Sequence, residues 1–149
     1  MHQSLSRSSD FDISWIEGSE CMLAVVRNSM HGFRGVSTFF SRMRDSRCQT
    51  NSVSWAIDLR DSRKIPDELW NWVAASWFPQ LVDEGLRRQA LILPNAGPAR
   101  AQWKSLNARS LIQESFNSVP RAIMWLSTEY DQPPVRRRAP RPAAVPAQS

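Results

Sequence analysis

The segment from Val53 to Leu93 constrains the fold more than any other part of the chain. Val53, Trp55, Ile57 and Leu59 alternate with Ser54, Ala56 and Asp58, the period-two pattern of a strand. The second face of that strand is small, which implies a layer packed closely there too, as on a central strand. Asp61-Ser62-Arg63-Lys64 then leaves as a charged turn. Pro66 suits a first helical turn, and Asp67 and Glu68 favour the positive N-terminus of a helix. Leu69, Val73, Trp77 and Leu81 step by four and define an inner stripe, flanked by Trp70 and Trp72, of a helix that ends near Gly85 as a C′ residue. Pro79 lies inside that helix, where a missing backbone bond costs about 3 kcal/mol and kinks or breaks the last turns. Ala90-Leu91-Ile92-Leu93 follows as a short, wholly apolar strand of the buried parallel kind. A strand, a charged turn, a helix and a second buried strand form one βαβ unit, and the working edge of such a sheet lies at its strand ends.

The flanking segments extend the unit. Phe11, Ile13 and Trp15 alternate with Asp12 and Ser14, and Cys21 to Val26 is continuously apolar. With Glu17-Gly18-Ser19-Glu20 between them, the two read as an opening hairpin. Val36, Phe39, Phe40 and Met43 recur at helical spacing in a helix ending near Ser46, with Arg42, Arg44 and Arg47 on or near its wet side. Beyond the loop Pro94–Pro98, Ala101, Trp103, Leu106, Leu111 and Ile112 mark a third helix, and Phe116 a short edge strand. Ser118 caps a fourth helix that turns Ala122, Ile123, Trp125 and Leu126 inward. The order β-β-α-β-α-β-α-β-α predicts an α/β fold: a mixed, mostly parallel sheet built as ββα(βα)3 with four helices. Residues 1–9 read as a flexible N-terminus, residues 10–130 as a single domain, and residues 131–149 as a disordered Pro/Ala/Arg-rich tail.

Charge and cysteine usage narrow the function classes. The net charge is +5, but Arg136, Arg137, Arg138 and Arg141 stand against one acid in the tail, which carries three of those charges. The body is close to neutral, so a nucleic-acid partner is not expected. Cys21 and Cys48 do not make a disulfide framework, and free thiols in a reducing cytoplasm are the simpler reading. No apolar run approaches the roughly 20 residues that cross a bilayer. A cytoplasmic location is therefore expected.

The chain resembles the STAS domain, the SpoIIAA-like fold of bacterial anti-sigma-factor antagonists, and more closely the small stand-alone bacterial STAS/SEC14-like proteins. The residues that carry the likeness are Trp55 to Arg60, Trp70 to Trp77 with Pro79, Gly85 to Pro94, and Phe116 to Leu126, over roughly Phe11 to Ser127. The resemblance implies a module that binds partners rather than turning over substrate. In the antagonists, a serine at the start of the helix after the central strand is phosphorylated. Here that position falls at Asp67 or Glu68, and a carboxylate imitates a phosphate only crudely, with one charge instead of nearly two. The usual phosphoserine switch is not expected. The SEC14-like label implies an alternative, a small carrier binding an apolar ligand or lipid between sheet and helices.

No catalytic constellation stands out, and neither a cofactor nor a metal is expected. Asp58, Asp61, Asp67 and Glu68 need only be turn formers and helix-start acids. His31 with Cys48 carries no nucleophile motif, and there is no CxxC, HExxH or phosphate loop. The chain is thus expected to be a non-enzymatic interaction module of bacterial cytoplasmic regulation, its partner another protein or a second copy of itself. The partner-binding surface is expected at Arg60, Asp61, Ser62, Asp67, Glu68 and Trp70. Trp72 and Trp77 are candidates for an apolar ligand or dimer contact.

Overall fold

The computed structural model describes residues 2–27, 32–107 and 110–131. One six-stranded sheet runs in sequence order: β1 (His2–Arg7), β2 (Phe11–Ile16), β3 (Cys21–Val26), β4 (Ser54–Asp58), β5 (Arg88–Ile92) and β6 (Ile112–Phe116). The β1–β2 and β2–β3 pairs are antiparallel, and the three pairs from β3 to β6 are parallel. The helices are α1 (Phe33–Thr50), α2 (Asp67–Trp72), α3 (Phe78–Asp83), α4 (Pro98–Lys104) and α5 (Val119–Asp131). A π-helical turn, Val73–Trp77, joins α2 and α3 into one continuous helix, so four helical segments follow the strands. This is the mixed, mostly parallel α/β class predicted above.

The N-terminal residues depart from expectation. His2–Arg7 is not frayed but pairs along β2. Gln3 and Ser4 are exposed, so this edge strand has little to bury and shows no apolar alternation. The expected tail from residue 132 onward and His31 lie outside the described residues.

Both faces of the sheet are covered, but unequally. Trp55, Ile57, Leu91, Met22 and Ile13 join Phe39, Phe40, Val73, Phe78, Leu81 and Trp103 in one cluster, which places α1, the α2–α3 helix and α4 on the first face. On the second face Ala56, Ala90, Leu23 and Ile92 meet Ala122 and Leu126 of α5. Ala56, Ala90 and Ala122 are the small residues that let α5 approach, as the composition of β4 implied. Across the first face the Trp55 indole N–H donates to Gln89 Oε1 (2.5 Å), and Gln89 Nε2 donates to Gln113 Oε1 (2.7 Å). These are register neighbours on β4, β5 and β6, so the polar groups satisfy one another inside the core.

The central helix shows how Pro79 is tolerated. Phe78 N–H donates to Val73 O, an i→i+5 bond. The widened turn sits immediately before a residue that cannot donate and whose ring would crowd a regular turn. It also inserts one residue into the buried stripe. Trp70, Val73, Phe78, Leu81 and Val82 are the buried positions, while Leu69 and Trp77 are half-buried. The four-step stripe read from the sequence is therefore correct at Val73 and Leu81 and displaced by one at Phe78. The helix closes at Gly85 (φ +128), where Leu86 N–H bonds Leu81 O (2.9 Å) and Gly85 N–H bonds Val82 O (3.1 Å), a Schellman cap.

Two further expectations are corrected. The third helix stops at Lys104, and Ile112 opens β6 instead of continuing it. Ser105 Oγ donates to Gln102 O (2.6 Å), a local bond that competes with helix continuation. The first helix runs past Ser46 to Thr50 and ends at Asn51 in the left-handed region (φ 56). Arg47 is consequently inside that helix and buried, not on its wet side. Its Nη1 donates to Ser52 O (3.0 Å) and its Nη2 to Glu84 O (2.7 Å), so the charge is spent on backbone carbonyls.

Candidate functional site

The carboxyl ends of β4, β5 and β6 lie side by side, with Asp58 opposite Ile92 and Ile92 opposite Phe116. The turn that leaves β4 there is braced at several points. Asp58 is buried at the strand end, and Arg60 closes on it with Nε to Oδ1 (2.9 Å) and Nη2 to Oδ2 (2.7 Å). The Asp58 carboxylate in turn holds the Arg60 guanidinium above its ordinary pKa, through the hydrogen bond first and the opposite charge second. Ser62 Oγ donates to Leu59 O (2.8 Å), and Leu59 N–H bonds Ile92 O (2.8 Å) across to β5.

The far end of the turn is pinned as firmly. Ile65 is fully buried, and its backbone N–H and C=O both meet the buried Gln102 side chain of α4, at 2.8 and 2.7 Å. Lys64 Nζ lies 2.9 Å from Asp67 Oδ1, an exposed pair of small energetic weight. Asp67 and Glu68 then occupy the first turn of α2. The outcome is a fixed loop that presents Arg60, Asp61, Arg63, Lys64, Asp67 and Glu68 to solvent. Such a loop offers a charged surface whose ordering cost is already met before anything binds.

Two residues expected on this surface turn inward. Ser62 is buried and bonded within the turn, because its hydroxyl is the nearest donor for the Leu59 carbonyl. Trp70 is 9% exposed, and its ring packs edge-on to Trp103 at 5.0 Å. Trp70 lies three residues before the buried Val73 in regular helix, so it shares the core side with Val73 while Leu69 stays half-buried. The surface therefore narrows to the charged residues.

Trp72 and Trp77 come together with two other rings. Trp77 stacks on the buried Phe40 at 5.9 Å, Trp72 meets Trp77 edge-on at 5.5 Å, and Phe33 lies over Trp72 at 5.5 Å. Phe33 is 61% exposed, so this row of rings runs from core to solvent. The Trp77 Nε1 is buried without a hydrogen-bond partner. Cys48 is exposed in α1, whereas burial pushes the Cys21 thiol up to about 12, far from a reactive range. Among the described residues no helix is long and apolar enough to cross a membrane, and no three His, Cys, Asp or Glu side chains group as a metal site.

Sequence reasoning missed two features of this edge. The Gln102 clamp carries no local signal, since its partner Ile65 is distant in the chain. The second feature is a cleft beside the turn, lined by Asn95, Arg100, Ser115, Phe116, Asn117 and Arg121. The available signal was topological: these residues follow two neighbouring parallel strands.

No protein-family model and no curated protein matches the chain. Among solved structures it is similar to an uncharacterized protein from Shewanella loihica PV-4, of the DUF3478 family and described as having a SpoIIAA-like fold. The two are 12% identical, with a TM-score of 0.44 over 85% of this chain and 95% of that one.

Proposed function

We propose that the chain is a non-enzymatic, STAS-like protein-interaction module of bacterial cytoplasmic regulation, working without a phosphoserine switch. The observation that carries this reading is the braced, charged turn between β4 and α2. Its backbone is fixed by Gln102, Ser62 and the Asp58–Arg60 pair, while Asp61, Asp67 and Glu68 stay exposed. A rigid patch with acids of one sign at its helix end suits recognition of a partner with complementary charge. The sole hydroxyl of the turn, on Ser62, is buried and engaged, which leaves the exposed charged side chains as the recognition groups.

The test is capture of the partner by the tagged chain from its own host, then binding of the identified partner in purified form. The double variant Asp61→Arg/Asp67→Arg stays folded, with no more than the loss of about 1 kcal/mol that a cation at the start of α2 brings, and loses that binding. Unchanged binding by this variant would remove the surface from the account.

A second reading, a carrier for an apolar ligand or lipid, draws on the row Phe33, Trp72 and Trp77, with its exposed ring and its unpartnered indole N–H. Native mass spectrometry of chain purified from its host separates the two. A bound small molecule favours the carrier, and an empty chain that copurifies with a protein favours the module.

A further inference from the structure

We propose that the cleft between the β5–α4 and β6–α5 loops binds a small molecule that carries a phosphate or carboxylate group on a flat apolar body. This site is separate from the charged turn and does not depend on its role. β5 and β6 are adjacent and parallel. The chain leaves β5 into α4, whose Trp103 packs on the first face, and leaves β6 into α5, whose Ala122 and Leu126 pack on the second. Neighbouring parallel strands whose connections depart to opposite faces open a crevice at their carboxyl ends, where open α/β sheets hold ligands.

The cleft has a volume of about 340 Å³, within the roughly 300–1,000 Å³ usual for small-molecule sites. Arg100 enters it from the α4 side and Arg121 from the first turn of α5, and no acid lines it. Two guanidinium groups with the amides of Asn95 and Asn117 and the hydroxyl of Ser115 make a donor-rich lining matched to an oxyanion. Arg100 Nη1 donates to Pro94 O (3.1 Å), which ties its fork to the β5–α4 loop. Ser118 Oγ accepts from the Arg121 N–H (3.4 Å), which fixes the first turn of α5, and the positive end of that helix adds to the field. Phe116, backed by Trp125 at 5.6 Å, supplies one apolar wall for the body of the ligand.

The full chain is titrated with phenyl phosphate, benzoate and phenol, followed by amide chemical shifts. Saturable binding of phenyl phosphate or benzoate is expected, with shifts at Asn95, Ser115 and Asn117, and the tighter of the two names the oxyanion. Arg100→Gln and Arg121→Gln each weaken it about tenfold or more, as loss of a charge-assisted bond does. Arg87→Gln, at the opposite end of β5, changes it by less than about twofold, since salt screens distant charges. Arg121 is exposed, so Arg121→Gln keeps the melting temperature and decides the matter if Arg100→Gln perturbs folding. The assignment is overturned if neither anion saturates below about 10 mM, if phenol binds as tightly as the anions, or if Arg87→Gln weakens binding as much as Arg121→Gln.

Discussion

The side-chain amide of Gln102 bonds both backbone groups of Ile65, accepting from its N–H at 2.8 Å and donating to its C=O at 2.7 Å. A glutamine on α4 thereby supplies, for the turn after β4, the pairing that a neighbouring strand would otherwise give. Gln102→Leu leaves two buried backbone groups unpaired and should cost about 1–3 kcal/mol in urea unfolding. The amide of Ile65 should also exchange with solvent much faster. If Gln102→Leu leaves that exchange unchanged, the clamp does not hold the turn.

Gly85 and Arg47 make the second tight relationship. A Cβ at Gly85 would sit 3.1 Å from Arg47 Nη1, and the backbone there has φ +128. Gly85→Ala should therefore destabilise the fold by about 1–3 kcal/mol through backbone strain and crowding together. In an Arg47→Ala background the crowding disappears and only the backbone part persists, so the two changes should be less than additive. Strict additivity would contradict the contact.

Acid should weaken the fold through two carboxylates. The Arg44 hydrogen bond holds Glu84 below its ordinary pKa, and the Arg27 hydrogen bond does the same for Asp12. Because both folded values are depressed, the stability they contribute is present above the usual carboxylate range and is lost as pH falls through the folded values. Glu84→Gln should flatten the stability profile on the acid side and change its slope little near pH 7. The check is urea unfolding at a series of pH values, with an unchanged acid slope as the contrary result.

The π turn behaves as a helix with one residue inserted. Deleting the exposed Ser76 while changing Pro79→Ala should leave a regular helix with Trp70, Val73, Phe78 and Leu81 still buried, seen as a native near-ultraviolet spectrum. The deletion with Pro79 retained should be less stable by about 3 kcal/mol, the cost of a proline within a regular helix. Equal stability of the two would show that the proline does not need the widened turn.

What could be read in the sequence divides along physical lines. β4, β5 and the Gly85 cap were legible because period, apolar runs and a C′ glycine are local signals. The pairing of β1 was not, since Gln3 and Ser4 bury nothing and their order comes from pairing with β2. Arg47 was misplaced because charge alone implies solvent, whereas its bonds go to carbonyls supplied by Ser52 and by Glu84 of a distant segment. At the candidate surface the charged turn was foreseen. The inward turn of Ser62 and Trp70 was not, since one depends on a hydroxyl's choice of partner and the other on packing against Trp103, which is distant in the chain.

We propose that the turn after β4 and the start of α2 form the interaction surface. Hydrogen–deuterium exchange of the full chain, alone and with its captured partner, tests it most directly. The account predicts new protection concentrated in residues 59–70, absent in Asp61→Arg/Asp67→Arg mixed with the same partner. Protection confined to α5 or to the Phe33–Trp72 side, with residues 59–70 unchanged, would contradict it.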